Sequence, residues 1–257
     1  MDVQTLGPGD VVCVQGTDRF SAIGAVGGYL GHVLVVLGQP RLVQGGGDEA
    51  EELRTVLPTP MPWPLWLLKT FESTSSVTGL HTSNHVIHVE ESTGRFRLLG
   101  EIQWGEQFIE YEGAVAEFWK APAPLRSAFR TDLMNEVLEE MKESQDSWSL
   151  FTAVRAVLRS AFVEEEADQL ATLRELQECW VSKPICTSVI ICFWQRYLCK
   201  LPAACREDAD LHAARMVLQW MPLKADRALP GDLLSTMLKY GWTSLKERSR
   251  TLTVRTA

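Results

Sequence analysis

The chain has 257 residues, 46% of them hydrophobic and 23% charged, the balance of an ordinary folded protein rather than a disordered or low-complexity one. Twenty-five Lys and Arg against 33 Asp and Glu leave a net charge of −8, which speaks against the clustered basic surface that nucleic-acid binding requires. The first ten residues hold no basic segment followed by an apolar one, so no secretory signal is expected. The apolar stretch 22–38 is too short and too rich in glycine for a membrane span. Six cysteines, at 13, 179, 186, 192, 199 and 205, show no paired spacing and read as the reduced thiols of a cytoplasmic protein.

In chain order, the turn chemistry of Gly7-Pro8-Gly9 opens a strand over 10–15. The β-branched run 33–37, closed by Gly38, predicts a buried strand. Residues 45–64, rich in Gly and Pro and carrying Trp63, predict a flexible insert over a core edge that roofs a cleft. Residues 65–72 read as a strand. Residues 86–90 and 95–99 flank Ser92-Thr93-Gly94, a hairpin signature, and 115–119 make a last strand before the Pro122-Ala123-Pro124 break. Beyond it, apolar side chains recur at helical spacing over 131–143, 148–162 and 186–198. Helices are also expected over 207–220 and 230–239, the latter with Pro230 in its first turn, and Glu164-Glu165-Glu166 as a solvated loop. Strands first and helices afterwards predict one α+β domain over residues 1–257.

Two segments carry candidate chemistry. Gly31-His32-Val33 puts a histidine at the entrance of a buried strand, and Ile185-Cys186-Thr187 puts a cysteine at the start of a helix. The helix dipole and the free first-turn N–H groups favour a thiolate there, and a neighbouring imidazole favours it further. A thiolate–imidazolium pair is the activated nucleophile of acyl transfer, and the same N–H groups suit an oxyanion. Each residue alone also fits an ordinary core position. Gly24, Gly27, Gly28 and Gly31 lack both the GxGxxG spacing and the following Lys-Ser/Thr of a phosphate loop, and no CxxC pair is present. His85 and His88 would face opposite sides of a strand. No cofactor and no metal are expected. Among the scattered tryptophans, Trp180 beside the cysteine segment is the one of interest.

Gly9-Asp10-Val11-Val12, Gly31-His32-Val33, Cys186-Thr187-Ser188-Val189 and Leu229-Pro230-Gly231-Asp232-Leu233, in that order, form a set. The set resembles permuted papain-like thiol hydrolases, the circularly permuted relatives of NlpC-type cell-wall peptidases, whose arrangement lecithin:retinol acyltransferase-like enzymes share. The resemblance implies an antiparallel, partly barrel-like sheet in the N-terminal half packed against a helical half that carries the nucleophile helix. It implies Cys186 as nucleophile, His32 as base and a third polar residue that orients the imidazole. Phe71-Glu72-Ser73 looks like the family's Val-Glu-Ala/Ser-Thr element and makes Glu72 the first choice. Val86-Ile87-His88-Val89 looks like the acyltransferase element and offers His88, with Glu90 on the same strand face as a third candidate.

The resulting expectation is a cysteine-dependent hydrolase or acyltransferase acting on an amide, ester or thioester bond, with a peptide, acyl-amide or lipid-ester substrate and no nucleic-acid partner. The alternatives are a catalytically inactive binding module of the same fold and a structural or scaffolding protein.

Overall fold

Strands rich in β-branched residues and alternating in side-chain direction account for the N-terminal half. A computed structural model of the chain describes residues 3–14, 31–58, 60–73, 80–90, 93–103, 107–144, 161–162, 168–180, 185–202 and 208–245. Eight strands lie in one antiparallel sheet: β1 (Val11–Val14), β2 (His32–Val36), β3 (Arg41–Val43), β4 (Leu65–Ser73), β5 (Leu80–Val89), β6 (Phe96–Gln103), β7 (Gln107–Lys120) and β8 (Thr243–Ser244). Six of them follow the order β1-β2-β4-β5-β6-β7. Because β7 also pairs with β1, with Val12 opposite Phe118, they close into a barrel. β3 is added on β4 and β8 on β7.

Closure gives each strand an inner and an outer face. Val12, Val14, Leu34, Val36, Leu68, Ile87, Phe96, Leu98, Ala116 and Phe118 fill the lumen, joined by Val3 and Leu6 of an N-terminal turn. Val11, Cys13, Val33, Val35 and Phe71, at the alternate positions, face outward into a second core shared with the helices.

Seven α-helices lie among the described residues: α1 (Asp48–Val56), α2 (Ala123–Ser127), α3 (Thr131–Ser144), α4 (Gln169–Glu178), α5 (Cys186–Lys200), α6 (Ala209–Trp220) and α7 (Pro230–Lys239). Eleven of the fifteen residues of α5 are buried, so it is apolar all round and runs through the middle of the helical layer. It packs on β2 and β4 on one side and on α3, α6 and α7 elsewhere. Its one buried amide, Gln195, donates to the carbonyls of Met221 and Leu223 and accepts from Trp180 Nε1, which satisfies it. Trp180 also lies under Arg196, so it braces the middle of α5 rather than its cysteine end.

Two contacts fix the start of β1, one to the barrel and one to the helices. Asp10 is buried, and its carboxylate accepts from the N–H of Gly7 at 2.9 Å and of Ala121 at 2.8 Å, tying the start of β1 to the end of β7. Beside it, Gly9 has φ +85°, and a Cβ there would sit 2.7 Å from Phe129 and 2.8 Å from Trp194 of α5. The Gly-Asp pair is thus a packing element.

The α+β expectation holds, with the sheet closed into a full barrel. The strands run longer than their apolar runs. β5 begins at Leu80, because its polar inner-face positions His81, Ser83 and His85 continue the ladder, and β7 begins at Gln107, opposite Gln103 of β6. The insert is not the expected loop. Asp48, Glu49 and Glu51 in the first turn and Arg54 in the last favour a helix there, and Ala50 and Leu53 join Val43, Leu65, Leu67 and Val86 in a core of their own. That core is separate from the cluster against which Cys186 packs, so α1 does not supply the expected roof. β3, α2 and α4 were not among the expected elements. The helix expected over 148–162 lies outside the described residues apart from Ala161 and Phe162, as do Gly24, Gly27, Gly28, Glu164-Glu165-Glu166 and Cys205. Among the described residues, no helix is long and apolar enough to cross a membrane.

Replacing Gly9 with Ala combines a left-handed backbone with an overpacked contact. It is expected to cost about 2–4 kcal/mol of stability by urea unfolding. A loss under about 0.5 kcal/mol would contradict the close approach of β1 and α5.

Candidate active site

Three side chains from distant parts of the chain meet where β2 begins, β4 ends and α5 starts. Val35 lies opposite Phe71 across the β2–β4 ladder, which sets Glu72 diagonal to His32 on the same face. His32 Nε2 donates to Glu72 Oε2 at 2.7 Å. Helix α5, docked on the outer face of β2, brings Cys186 close enough to His32 for each to bias the other's charge. The Thr187 hydroxyl lies 4.0 Å from the sulfur, and the backbone N–H of Val33 favours its charged form. With Nε2 engaged by Glu72, Nδ1 is the ring nitrogen left to exchange a proton with the thiol.

Glu72 is fully buried, and both of its oxygens are held. Oε2 takes His32. Oε1 accepts from His85 Nε2 at 2.5 Å and from the Ser83 hydroxyl at 2.8 Å, with Thr70 Oγ1 at 3.5 Å. Thr70, His81, Ser83 and His85 occupy alternate positions on β4 and β5, in step with Leu68 and Ile87, so they point into the lumen. Glu101 on β6 lies opposite His85, with its Oε2 3.8 Å from His85 Nε2 and 3.7 Å from His81 Nε2. One end of the barrel is therefore polar and the rest apolar.

The electrostatics follow from this packing. Burial opposes charge on Cys186. The positive ring of His32, its hydrogen bond, the Val33 N–H and Thr187 outweigh it and hold the thiol below its ordinary value of 9.0. Burial likewise opposes charge on His32. The Cys186 thiolate and the Glu72 carboxylate outweigh it and hold the imidazole well above 6.5. Burial would raise Glu72, but the charge of His85 and the hydrogen bonds from His32 and His85 keep its carboxyl well below the usual carboxylate range. Three of the other thiols move the opposite way: burial pushes Cys13 up, Cys179 up to about 12 and Cys199 up to about 11.

The oxygen and nitrogen atoms of Glu72, His85 and Glu101 lie within 4.8 Å of one another, a spacing open to a metal ion. However, the 2.5 Å contact between Glu72 and His85 is shorter than the roughly 3.3 Å between two ligands on a tetrahedral ion, so this pair is hydrogen bonded.

Cys186, His32 and Glu72 are thus brought together. His88 and Glu90 are not. The register places His81, not His88, opposite Glu72, so His88 lies seven residues further along β5, about 23 Å away at strand spacing. Its Nδ1 lies 3.4 Å from the Pro64 carbonyl, while Glu90 pairs with Arg97 at 3.6 Å on the surface. The sequence places His85 on a strand face but gives neither it nor Glu101 a role at the site. The signal was present in the period-2 spacing of His81, Ser83, His85 and Ile87, which marks one strand face. Leu229-Pro230-Gly231-Asp232-Leu233 opens α7, where the Asp232 carboxylate accepts from the Leu229 N–H at 2.9 Å, a capping contact.

No protein-family model matches the chain, and no curated protein or solved structure matches it either.

The direction of the shifts gives a pH signature. The rate at which Cys186 is alkylated follows its thiolate. It should rise through a midpoint below 9.0 and reach its plateau while an ordinary thiol is still protonated. Peptide mapping should find Cys186 labelled before Cys13, Cys179 and Cys199, and His32→Ala should move the midpoint upward. Equal slow labelling of all four thiols would contradict the ion pair.

Proposed function

We propose that the chain is a cysteine-dependent hydrolase or acyltransferase acting on an amide, ester or thioester bond, with Cys186 as nucleophile, His32 as general base and acid, and Glu72 as the residue that orients the imidazole. The observation that carries this reading is the position of His32, bonded through Nε2 to a buried carboxylate and next to a half-buried cysteine at a helix start. Support for a permuted papain-like arrangement comes from the chain order, an antiparallel barrel holding the base followed by a helix that opens with the thiol.

The chemistry needs little beyond these groups. The Cys186 thiolate attacks the carbonyl carbon and forms a tetrahedral intermediate. Its oxyanion would be met by first-turn N–H groups of α5, which have no intrahelical partner and no side-chain cap at Ile185. The His32 imidazolium then passes its proton to the leaving nitrogen, oxygen or sulfur, leaving an acyl-thioester on Cys186. Water, or a second acceptor in the transferase case, gives its proton to His32 as it attacks the thioester and releases the thiolate. Throughout, Glu72 holds the ring in one tautomer and offsets its charge. The substrate class we infer is a peptide, acyl-amide or lipid ester.

A panel of activated esters, thioesters and short amides, read by intact-mass spectrometry, tests this. The expected result is one acyl adduct on Cys186, no turnover in Cys186→Ala and a loss of about a thousandfold or more in His32→Ala. Glu72→Gln, which keeps an acceptor but removes the charge, should lose about a thousandfold or more in turnover. Turnover that survives in Cys186→Ala would overturn the assignment.

A further inference from the structure

We propose that His85 is a positioning residue for the Cys186–His32–Glu72 set, holding one oxygen of the Glu72 carboxylate from inside the barrel while His32 holds the other; this rests on the thiol-enzyme reading above. The geometry is that of one carboxylate shared by two imidazoles, with His32 Nε2 on Oε2 at 2.7 Å and His85 Nε2 on Oε1 at 2.5 Å. Ser83 adds a second donor to Oε1 at 2.8 Å. His85 is itself fully buried, two residues along the same strand face from Ser83 and opposite Glu101.

The physical need is specific. A carboxylate with no exposure stays ionised only while donors replace its lost water; otherwise it takes up a proton. A protonated Glu72 would offer His32 no negative partner and would free the carboxyl plane to turn. His32 would then lose its reason to remain imidazolium beside the thiolate, and the Cys186 proton would return to sulfur. His85 therefore acts on the nucleophile through two intervening side chains without touching it. Among the described residues, the titratable groups facing His85 are Glu72 on β4, His81 on β5 and Glu101 on β6, with His32 reached through Glu72. Near them β1 offers only apolar side chains to the lumen, Val12 and Val14.

The test is the pH dependence of Cys186 alkylation, which needs no substrate, measured for the wild-type chain, His85→Leu, His85→Gln and Ser83→Ala, with circular dichroism to confirm folding. His85→Leu should raise the midpoint by about one pH unit or more, a drop of about tenfold in alkylation rate on the acid side. His85→Gln, whose amide can donate to Oε1, should restore most of the shift. Ser83→Ala removes the companion donor, so it should move the midpoint in the same direction by less, and it decides the matter if His85→Leu does not fold. A folded His85→Leu, or failing that Ser83→Ala, that titrates like wild type would overturn the proposal while the thiol reading stands. A wild-type Cys186 that titrates like an ordinary thiol would sink both.

Discussion

A carboxylate taken fully out of water costs several kcal/mol unless its oxygens are held, and at Glu72 the donors converge from three strands of the barrel. His32 arrives from β2, Ser83 and His85 from β5, and Thr70 from its own strand. The charge is tolerable only once β2, β4 and β5 are paired in the observed register. A slip of one residue would turn Glu72 to the outer face, against the apolar helical core, and leave His32 without its anion. The same contact that orients the imidazole thus also makes the register of three strands matter.

The position of the thiol depends on a second constraint, the depth of α5. Its apolar surface is buried on nearly every side, so the helix cannot slide without exposing Val189, Phe193 or Trp194. Gly9, too close to Phe129 and Trp194 for a side chain, lets β1 lie against it. Cys186 is placed at the mouth of the barrel by packing that occurs mostly elsewhere. The tertiary core, not the local sequence around the cysteine, sets where the sulfur sits relative to the ring. Burial raises the thiols of Cys13, Cys179 and Cys199, and the contacts made by His32 and Val33 reverse the outcome at Cys186.

Much of this was legible in advance, for identifiable reasons. The helix that opens at Cys186 and the one that opens at Pro230 are strongly periodic, and both begin at the expected residue. The strand after His32 is a β-branched run with no competing helical pattern. Glu72 could be ranked first but not decided, because its role depends on the pairing of β2 with β4, a long-range fact. His88 and Glu90 stayed open for the same reason, and only the β4–β5 register puts them at the far end of the strand. The inward polar face of β5 was hidden because His81, Ser83 and His85 interrupt the apolar run that marks a strand. Barrel closure depends on the β1–β7 ladder, between segments about a hundred residues apart, and nothing local announces it.

The central claim is that His32 is an imidazolium held between a carboxylate and a thiolate. Nuclear magnetic resonance of the histidine ring nitrogens, followed across pH, observes that state directly. The His32 ring should stay doubly protonated well above 6.5 in the wild-type chain, and its midpoint should fall in Cys186→Ala, where the negative sulfur is gone. A His32 ring that loses its proton near 6.5 and is indifferent to Cys186→Ala would contradict it.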